Sequence, residues 1–220
     1  MKIGIVGTGN IAEKHLSEYS KIENVKVEAV CDINQNNLDY FLNNNKDKNI
    51  RGYLSLEEMF LKEKNFDGIS NTTPDNFHKD ITLQILKEGY NILCEKPLAE
   101  NYNDAKIMVD AAESTKKINM VNFTYRESSG YQKLVETIKS GTIGSPRHVR
   151  ACYYQSWLTS KKWGDWRKED KWLWRLSTKH GSNGALGDTG IHLFDFTINA
   201  VGDVKEVFAD LKTFYEKGDQ

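Results

Sequence analysis

A glycine-rich turn between a short strand and a helix constrains the fold more than any other feature of this 220-residue sequence. Residues 2–6 form a β-rich apolar run, and apolar side chains recur at helical spacing from residue 10. Between these runs stands Gly7-x-Gly9-x-x-Ala12. The glycines alone could merely shape a turn, but this strand–turn–helix context is typical of dinucleotide-binding domains. The sequence therefore predicts a parallel α/β domain with a dinucleotide site.

Each part of this turn has a predicted role. The first glycine permits a sharp turn, the second lets the backbone approach a pyrophosphate, and Ala12 keeps helix and strand close. The helix N-terminus offers N–H groups to the phosphates. The predicted cofactor-binding residues of the turn are Gly7, Thr8, Gly9, Asn10 and Ile11.

Asp32 ends the second predicted strand, 20 residues after Ala12. Its carboxylate is predicted to accept hydrogen bonds from the adenosine ribose hydroxyls, with helix capping as the alternative role. A carboxylate would repel a 2′-phosphate, and Ile33-Asn34-Gln35 supplies no arginine to hold one. NAD is therefore favoured over NADP.

Strands alternate with helices up to residue 123, which predicts βαβ units and a doubly wound parallel sheet in a domain over 1–123. The predicted strands are 2–6, 25–31, 50–53, 67–71, 90–94 and 118–123, and the predicted helices are 10–21, 36–45, one opened by Ser55, 75–88 and 103–116. Over 124–220 the regular strand–helix alternation ends, and the predicted elements are helix 129–140, strand 147–156, helix 184–200 and strand 204–215. Because two strands seldom form a stable sheet alone, this second α/β domain is expected to be incomplete at its C-terminus or completed by another chain.

Charge and hydropathy narrow the range of partners. The formal net charge of -1 gives no electrostatic reason to expect nucleic acid or an anionic membrane. No apolar run approaches the roughly 20 residues that span a bilayer, and the first ten residues do not form a signal peptide. The three cysteines form no CxxC pair, Cys31 and Cys94 are interpreted as buried, and no metal site is predicted. We expect a cytoplasmic protein.

Two polar segments follow neighbouring predicted strands. Thr72-Thr73-Pro74 and Glu95-Lys96-Pro97 stand where the carboxyl ends of parallel strands hold ligands. Lys96 is therefore predicted to donate a hydrogen bond to a substrate hydroxyl or a cofactor ribose, although Glu-Lys-Pro is by itself a common surface tripeptide.

Asp188 and His192 form a second candidate constellation. On a helix, residues four apart share one face. A carboxylate beside an imidazole can fix its tautomer, as a general base that draws a proton from an alcohol requires. A surface ion pair or a hydrogen-bonded core histidine is the alternative.

Five motifs together resemble one family. Gly7-x-Gly9-x-x-Ala12, Thr72-Thr73-Pro74, Glu95-Lys96-Pro97, Ile143-Gly144 and Gly187-Asp188-x-Gly190-x-His192 occur in the order seen in the glucose–fructose oxidoreductase, inositol dehydrogenase and MocA-like (Gfo/Idh/MocA) oxidoreductases. The resemblance implies a Rossmann domain followed by an α/β (α+β) domain with a mainly antiparallel sheet, which often mediates dimers or tetramers. It also implies oxidation of a secondary hydroxyl of a sugar, cyclitol or polyol, or the reverse reduction. Members usually exceed 300 residues, and the chain has Gly181-Ser182-Asn183-Gly184 where they carry a run of glycines.

The same resemblance implies roles for single residues. His192 would accept the proton with Asp188 as its partner, and Lys96 would hydrogen-bond the reacting oxygen. The residues bordering the nicotinamide half of the cofactor would be Thr72, Pro74, His78 and Glu95, and Thr73 would also bind the cofactor. Asn122 and Arg126 would lie near cofactor and substrate.

All five tryptophans fall within residues 157–174, interleaved with lysine and arginine. Their aromatic faces suit sugars, which makes Trp163 and Arg167 candidate substrate contacts. Alternatively, the tryptophans anchor an irregular loop or form an oligomer contact. Single-stranded nucleic acid, the third option, is disfavoured by the near-neutral charge.

The leading hypothesis is an NAD-dependent dehydrogenase. A dinucleotide-binding regulator or sensor without turnover is the alternative from another class. A third hypothesis is a fragment that binds cofactor but lacks a complete substrate pocket.

Overall fold

A computed structural model describes residues 1–156, 160, 164–165, 169, 176 and 182–211. The chain divides into two compact units, Met1–Asn122 and Phe123–Gln220. The first unit contains one six-stranded sheet in which every pairing is parallel. Its strands are β1 (Lys2–Val6), β2 (Lys26–Cys31), β3 (Arg51–Tyr53), β4 (Gly68–Asn71), β5 (Asn91–Cys94) and β6 (Asn119–Val121). The predicted parallel α/β sheet is confirmed.

The order in which successive strands are added to the sheet changes sides between β1 and β4. The strand order is β3-β2-β1-β4-β5-β6, so β1 pairs with β2 on one side and with β4 on the other. This is the topological switch point at which open α/β sheets bind ligands, outside the carboxyl ends of the strands. The fold therefore places the glycine turn after β1 beside Thr72 after β4.

Five helices connect these strands, and polar side chains fix where several of them begin. They are α1 (Asn10–Tyr19), α2 (Gln35–Asn44), α3 (Leu56–Lys62), α4 (His78–Lys87) and α5 (Tyr102–Thr115). Ser55 accepts a hydrogen bond from the Glu58 N–H at 3.1 Å, which confirms the predicted start of α3. The reciprocal half of a capping box is absent from this described turn, because the Glu58 carboxylate accepts from Lys62 instead.

Two apolar clusters cover the two faces of the sheet. Ile3 and Ile5 pack with residues of α1 and α2, including the fully buried Phe41. Val6 and Ile69 pack with residues of α3, α4 and α5. Burial of one such large side chain contributes about 1.5–3 kcal/mol, so these clusters hold the sheet and its loops in place.

Two packed helices are present in the described part of the second unit. Helix α6 (Ser129–Lys139) and helix α7 (Ile191–Val201) pack around Tyr131, Val135 and Ala200. A π-helical turn, Leu186–Gly190, leads directly into α7, so the predicted helix near 184–200 is present with a wider first turn.

The strands predicted for the second unit are wrong in the described residues. Residues 147–156 and 204–211 have no strand hydrogen bonds, and residues 212–215 lie outside the described part. Tyr154 and Phe208 are exposed at 86% and 96%. A β-rich sequence forms a strand only against a partner, and the described residues of this unit supply none. The mainly antiparallel sheet is therefore not found in the described residues.

Candidate functional site

The glycine turn has the geometry that a bound dinucleotide requires. Gly7 adopts φ +88°, and a Cβ there would lie 2.9 Å from the Thr72 backbone. Gly9 is the N-cap of α1, and a Cβ there would meet nothing within 4 Å. The first turn of a helix has backbone N–H groups without partners inside the helix, and these groups can bind an anion. The space in front of Gly9 is open, so an anion can reach them. The residues present therefore fit a pyrophosphate.

Asp32 joins the end of β2 to this turn. Its Oδ2 accepts hydrogen bonds from both the backbone N–H and the hydroxyl of Thr8, each at 2.8 Å. Its Oδ1 accepts from the Asn34 N–H at 2.9 Å. Asn34, not Asp32, is the N-cap of α2. A carboxylate can accept about four hydrogen bonds. Asp32 accepts three from the protein, which leaves room for one from a ribose hydroxyl.

Thr72 anchors the turn from the strand on the other side. Its hydroxyl donates to the carbonyl oxygens of Val6, at 2.9 Å, and Gly7, at 2.7 Å, and the residue is 5% exposed. Thr73 donates its hydroxyl to the Asn71 side chain at 2.6 Å. The bonds of Thr72 hold the glycine turn against the end of β4, and the bond of Thr73 holds the loop that follows β4. The position of both threonines directly after a predicted strand could have suggested these structural roles.

His78 is fully buried and connects the loops after β4 and β5. Nδ1 lies 2.7 Å from the Pro97 carbonyl oxygen, and Nε2 lies 2.8 Å from the Thr73 carbonyl oxygen. Carbonyl oxygens only accept hydrogen bonds, so both contacts are hydrogen bonds when both ring nitrogens carry hydrogen. His78 thereby holds together the two segments in which Pro74 and Lys96 were predicted to meet the cofactor.

Glu95 is also buried, at 8% exposure. Its Oε1 accepts hydrogen bonds from His15 Nε2 at 2.8 Å and from Asn122 Nδ2 at 2.6 Å. Burial acts to raise the pKa of Glu95, but the bonds from His15 and Asn122 outweigh it, and the pKa lies below the usual value. Lys96, the next residue, is half-buried. His15 was not among the predicted site residues, although its position at the apolar spacing of the helix after the glycine turn was a usable signal.

His192 of the second unit is buried among aromatic rings. The Tyr125 ring centroid lies 4.8 Å from that of the imidazole, in an edge-on arrangement. The Tyr125 hydroxyl is 2.9 Å from the hydroxyl of Tyr153. The hydrogen bond to Tyr153, burial and the charge of Asp188 together raise the pKa of Tyr125. Neither tyrosine was predicted from the sequence.

Arg126 forms a salt bridge with Asp195, a residue that was not predicted to belong to the site. Its Nε donates to both carboxylate oxygens of Asp195, at 2.9 and 3.0 Å, and Nη2 also donates to Oδ1. The Asp195 side chain is 4% exposed and that of Arg126 is 45% exposed. Arg126 therefore ties the segment before α6 to α7, and its predicted role as a substrate residue stays a prediction.

The remaining predicted residues divide by location. Asp188 lies half-buried in the π-helical turn that precedes His192. Trp163, Arg167 and the other four tryptophans lie outside the described residues. Within the described residues, no group of three or more His, Cys, Asp or Glu could hold a metal ion. No helix in that part of the chain is long and apolar enough to cross a membrane.

The sheet order and the glycine turn define the first unit as a dinucleotide-binding Rossmann domain. Residues 1–123 match the oxidoreductase family with an NAD-binding Rossmann fold, and residues 131–220 match the Gfo/Idh/MocA C-terminal domain. The chain belongs to the Gfo/Idh/MocA oxidoreductase family, as its motifs indicated. The matched family description is an NAD-binding Rossmann fold, which agrees with the carboxylate at Asp32.

Individual relatives are sugar and cyclitol dehydrogenases. The chain is 30% identical over 194 residues to glucose-6-phosphate 3-dehydrogenase of Bacillus subtilis, covering 88% of this chain and 52% of that protein. It is 26% identical over 217 residues to myo-inositol 2-dehydrogenase of Thermotoga maritima, covering 96% and 58%. The fold resembles levoglucosan dehydrogenase solved with NADH and levoglucosan, with a TM-score of 0.77, 24% identity and coverage of 92% and 54%. The chain thus spans about half the length of these relatives.

Proposed function

We propose that the protein is an NAD-dependent dehydrogenase that acts on a secondary hydroxyl of a sugar, cyclitol or related polyol. The observation that carries the proposal is the glycine turn at the switch point, open in front of Gly9 and braced by Asp32 and Thr72. The substrate class follows from the names of the relatives, which are dehydrogenases of glucose 6-phosphate and inositol.

The proposed chemistry divides between the two units. When bound, NAD would supply the acceptor for the hydride that leaves the carbinol carbon of the reacting hydroxyl. His192 accepts the proton of the same hydroxyl, as a general base does. Lys96 donates a hydrogen bond to the reacting oxygen, which stabilises negative charge that develops there. Tyr125 restricts the orientation of the imidazole, because its ring lies edge-on at 4.8 Å.

The relatives favour this hypothesis over a regulator without turnover, since those named here are dehydrogenases. The three cysteines are unpaired, which supports the expectation of a cytoplasmic protein. A homo-oligomer formed through the second unit remains a prediction, and light scattering on the purified protein tests it.

The decisive experiment measures NAD reduction with a panel of sugars and polyols, using this chain and a version extended to the length of its relatives. We expect His192→Ala and Lys96→Ala each to lower kcat/KM by about 10²–10⁴-fold on the best substrate. His148→Ala and Lys139→Ala, at exposed positions of the second unit, serve as matched controls and keep full activity. Full activity of the His192 or Lys96 variant would overturn the mechanism. Tight NAD binding without turnover on any substrate would favour the regulator.

A further inference from the structure

The buried carboxylate of Glu95 joins three separate parts of the first unit. It follows β5, where its own N–H donates to the Asn71 carbonyl at 2.9 Å. His15 comes from the buried side of α1, and Asn122 follows β6. The Asn122 N–H also donates to the Cys94 carbonyl at 2.7 Å, so the backbone and the side chain of Asn122 are both fixed.

The two carboxylate oxygens serve different partners. Oε1 accepts from His15 and Asn122, whereas Oε2 accepts the Lys96 backbone N–H at 3.3 Å. Three donors around one buried carboxylate favour its ionised form, and an ionised carboxylate can only accept. Asn122 Nδ2 also lies 3.2 Å from His15 Nε2, a contact that only a hydrogen-free Nε2 could accept. The shorter contact of 2.8 Å between Nε2 and the ionised Glu95 needs a hydrogen on Nε2, because a carboxylate cannot donate. We therefore assign the tautomer of His15 with hydrogen on Nε2.

We infer that Glu95 is a positioning residue, which with His15 and Asn122 holds the helix behind the glycine turn and the backbone of Lys96 at a fixed spacing. This differs from the nicotinamide contact that family resemblance implied for Glu95, because its oxygens are 2.6–3.3 Å from protein donors. The kinetic part of the inference rests on the proposed function, and the structural part does not.

The position of Lys96 matters because a hydrogen bond to the reacting oxygen depends on its direction. A displacement of about 1 Å at a positioned group can lower a rate by up to about 10²-fold. The same carboxylate fixes α1, whose first turn faces the predicted phosphates. Loss of the carboxylate should therefore affect both cofactor affinity and turnover, whereas loss of the Oε2 bond alone should affect turnover.

Glu95→Gln separates these two effects. The amide oxygen can still accept from His15 and Asn122, but the amide nitrogen then faces the Lys96 N–H, and two donors cannot bond. We expect an unchanged NAD affinity and a kcat roughly tenfold lower. Glu95→Ala removes all three bonds, and we expect NAD to bind roughly tenfold more weakly as well. Glu18→Gln, on the exposed side of α1 in a pair with Lys21, is the matched control and changes neither quantity.

The protonation of His15 gives a readout that needs neither cofactor nor activity. Nitrogen NMR at pH 8 should show Nε2 protonated in the native protein and in Glu95→Gln, but mixed tautomers in Glu95→Ala. Mixed tautomers in the native protein, or an unchanged His15 signal in Glu95→Ala, would overturn the inference. Wild-type kcat in Glu95→Gln would also overturn it. If no variant turns over any substrate, the proposed function fails, and the NMR and NAD-affinity results still decide the role of Glu95.

Discussion

The two units hold their candidate site residues by different means. In the first unit, Thr72, His78 and Glu95 are buried. Thr72 and His78 bond to main-chain groups of other loops, and Glu95 accepts from the main chain of the adjacent Lys96. In the second unit, His192 lies among aromatic rings, and the Arg126–Asp195 pair links two segments through side chains alone. Main-chain bonds thus recur around the candidate residues of the first unit, whereas the contacts of His192 and Arg126 are made by side chains.

This difference predicts different consequences of substitution in the two units. A turn made of backbone keeps its form only while each residue can adopt the required φ and ψ, so substitutions there act on folding and binding together. A site made of side chains loses one group at a time. The apolar clusters reinforce the contrast, because two of them support the first unit and a small one, around Tyr131, Val135 and Ala200, supports the described part of the second.

The largest effect is expected at Gly7. An alanine there combines a left-handed φ with a Cβ 2.9 Å from the Thr72 backbone, so we expect Gly7→Ala to lower the free energy of unfolding by about 3 kcal/mol or more. Gly9→Ala is the matched control, because its φ of -73° suits alanine and the space is open. It should cost about 1 kcal/mol or less and weaken NAD binding. Denaturant titration and calorimetric NAD titration measure both, and equal stability of the two variants would contradict the backbone argument.

A smaller loss is expected in the second unit when Arg126 becomes methionine. Asp195 would then remain buried without its bidentate partner, which should cost about 2–3 kcal/mol, since Arg126 itself is half-exposed. Lys133→Met, which breaks an exposed pair with Glu136, should change stability by about 0.5 kcal/mol or less. Thermal unfolding compares them. If both variants melt alike, the Arg126–Asp195 pair does not support this unit.

The same contrast explains how much could be predicted from the sequence. Each predicted strand and helix of the first unit is present, with bounds within a few residues, because local periodicity and glycine placement are enough to specify βαβ units. The strand predicted over 147–156 was based on a local sequence pattern as clear as those of the first unit. A strand also needs a hydrogen-bonding partner, and the local pattern does not show whether one is present. Pairings such as His15 with Glu95, 80 residues apart, and Arg126 with Asp195, 69 apart, arise only from tertiary packing.

A change of about 1 kcal/mol is expected at the start of α3. Ser55→Ala removes the acceptor for the Glu58 N–H and should lower stability by that amount. Ser17→Ala, in the interior of α1, should change stability by about 0.5 kcal/mol or less. Urea titration of both variants tests whether the first unit depends on side-chain caps as well as on backbone. Equal midpoints would show that the Ser55 cap contributes little.

The smallest effect on stability, and the clearest difference in accessibility, is expected at the cysteines. Burial in the first unit is the main reason that the pKa values of Cys31 and Cys94 rise to about 12, whereas Cys152 of the second unit is exposed. Because the thiolate is the reactive form, iodoacetamide at pH 8 should label one thiol per native chain and three after unfolding. Cys152→Ser should abolish native labelling without changing stability. Labelling of Cys31 or Cys94 at the rate of Cys152 would mean that burial in the first unit does not protect these thiols, which would break the comparison between the two units.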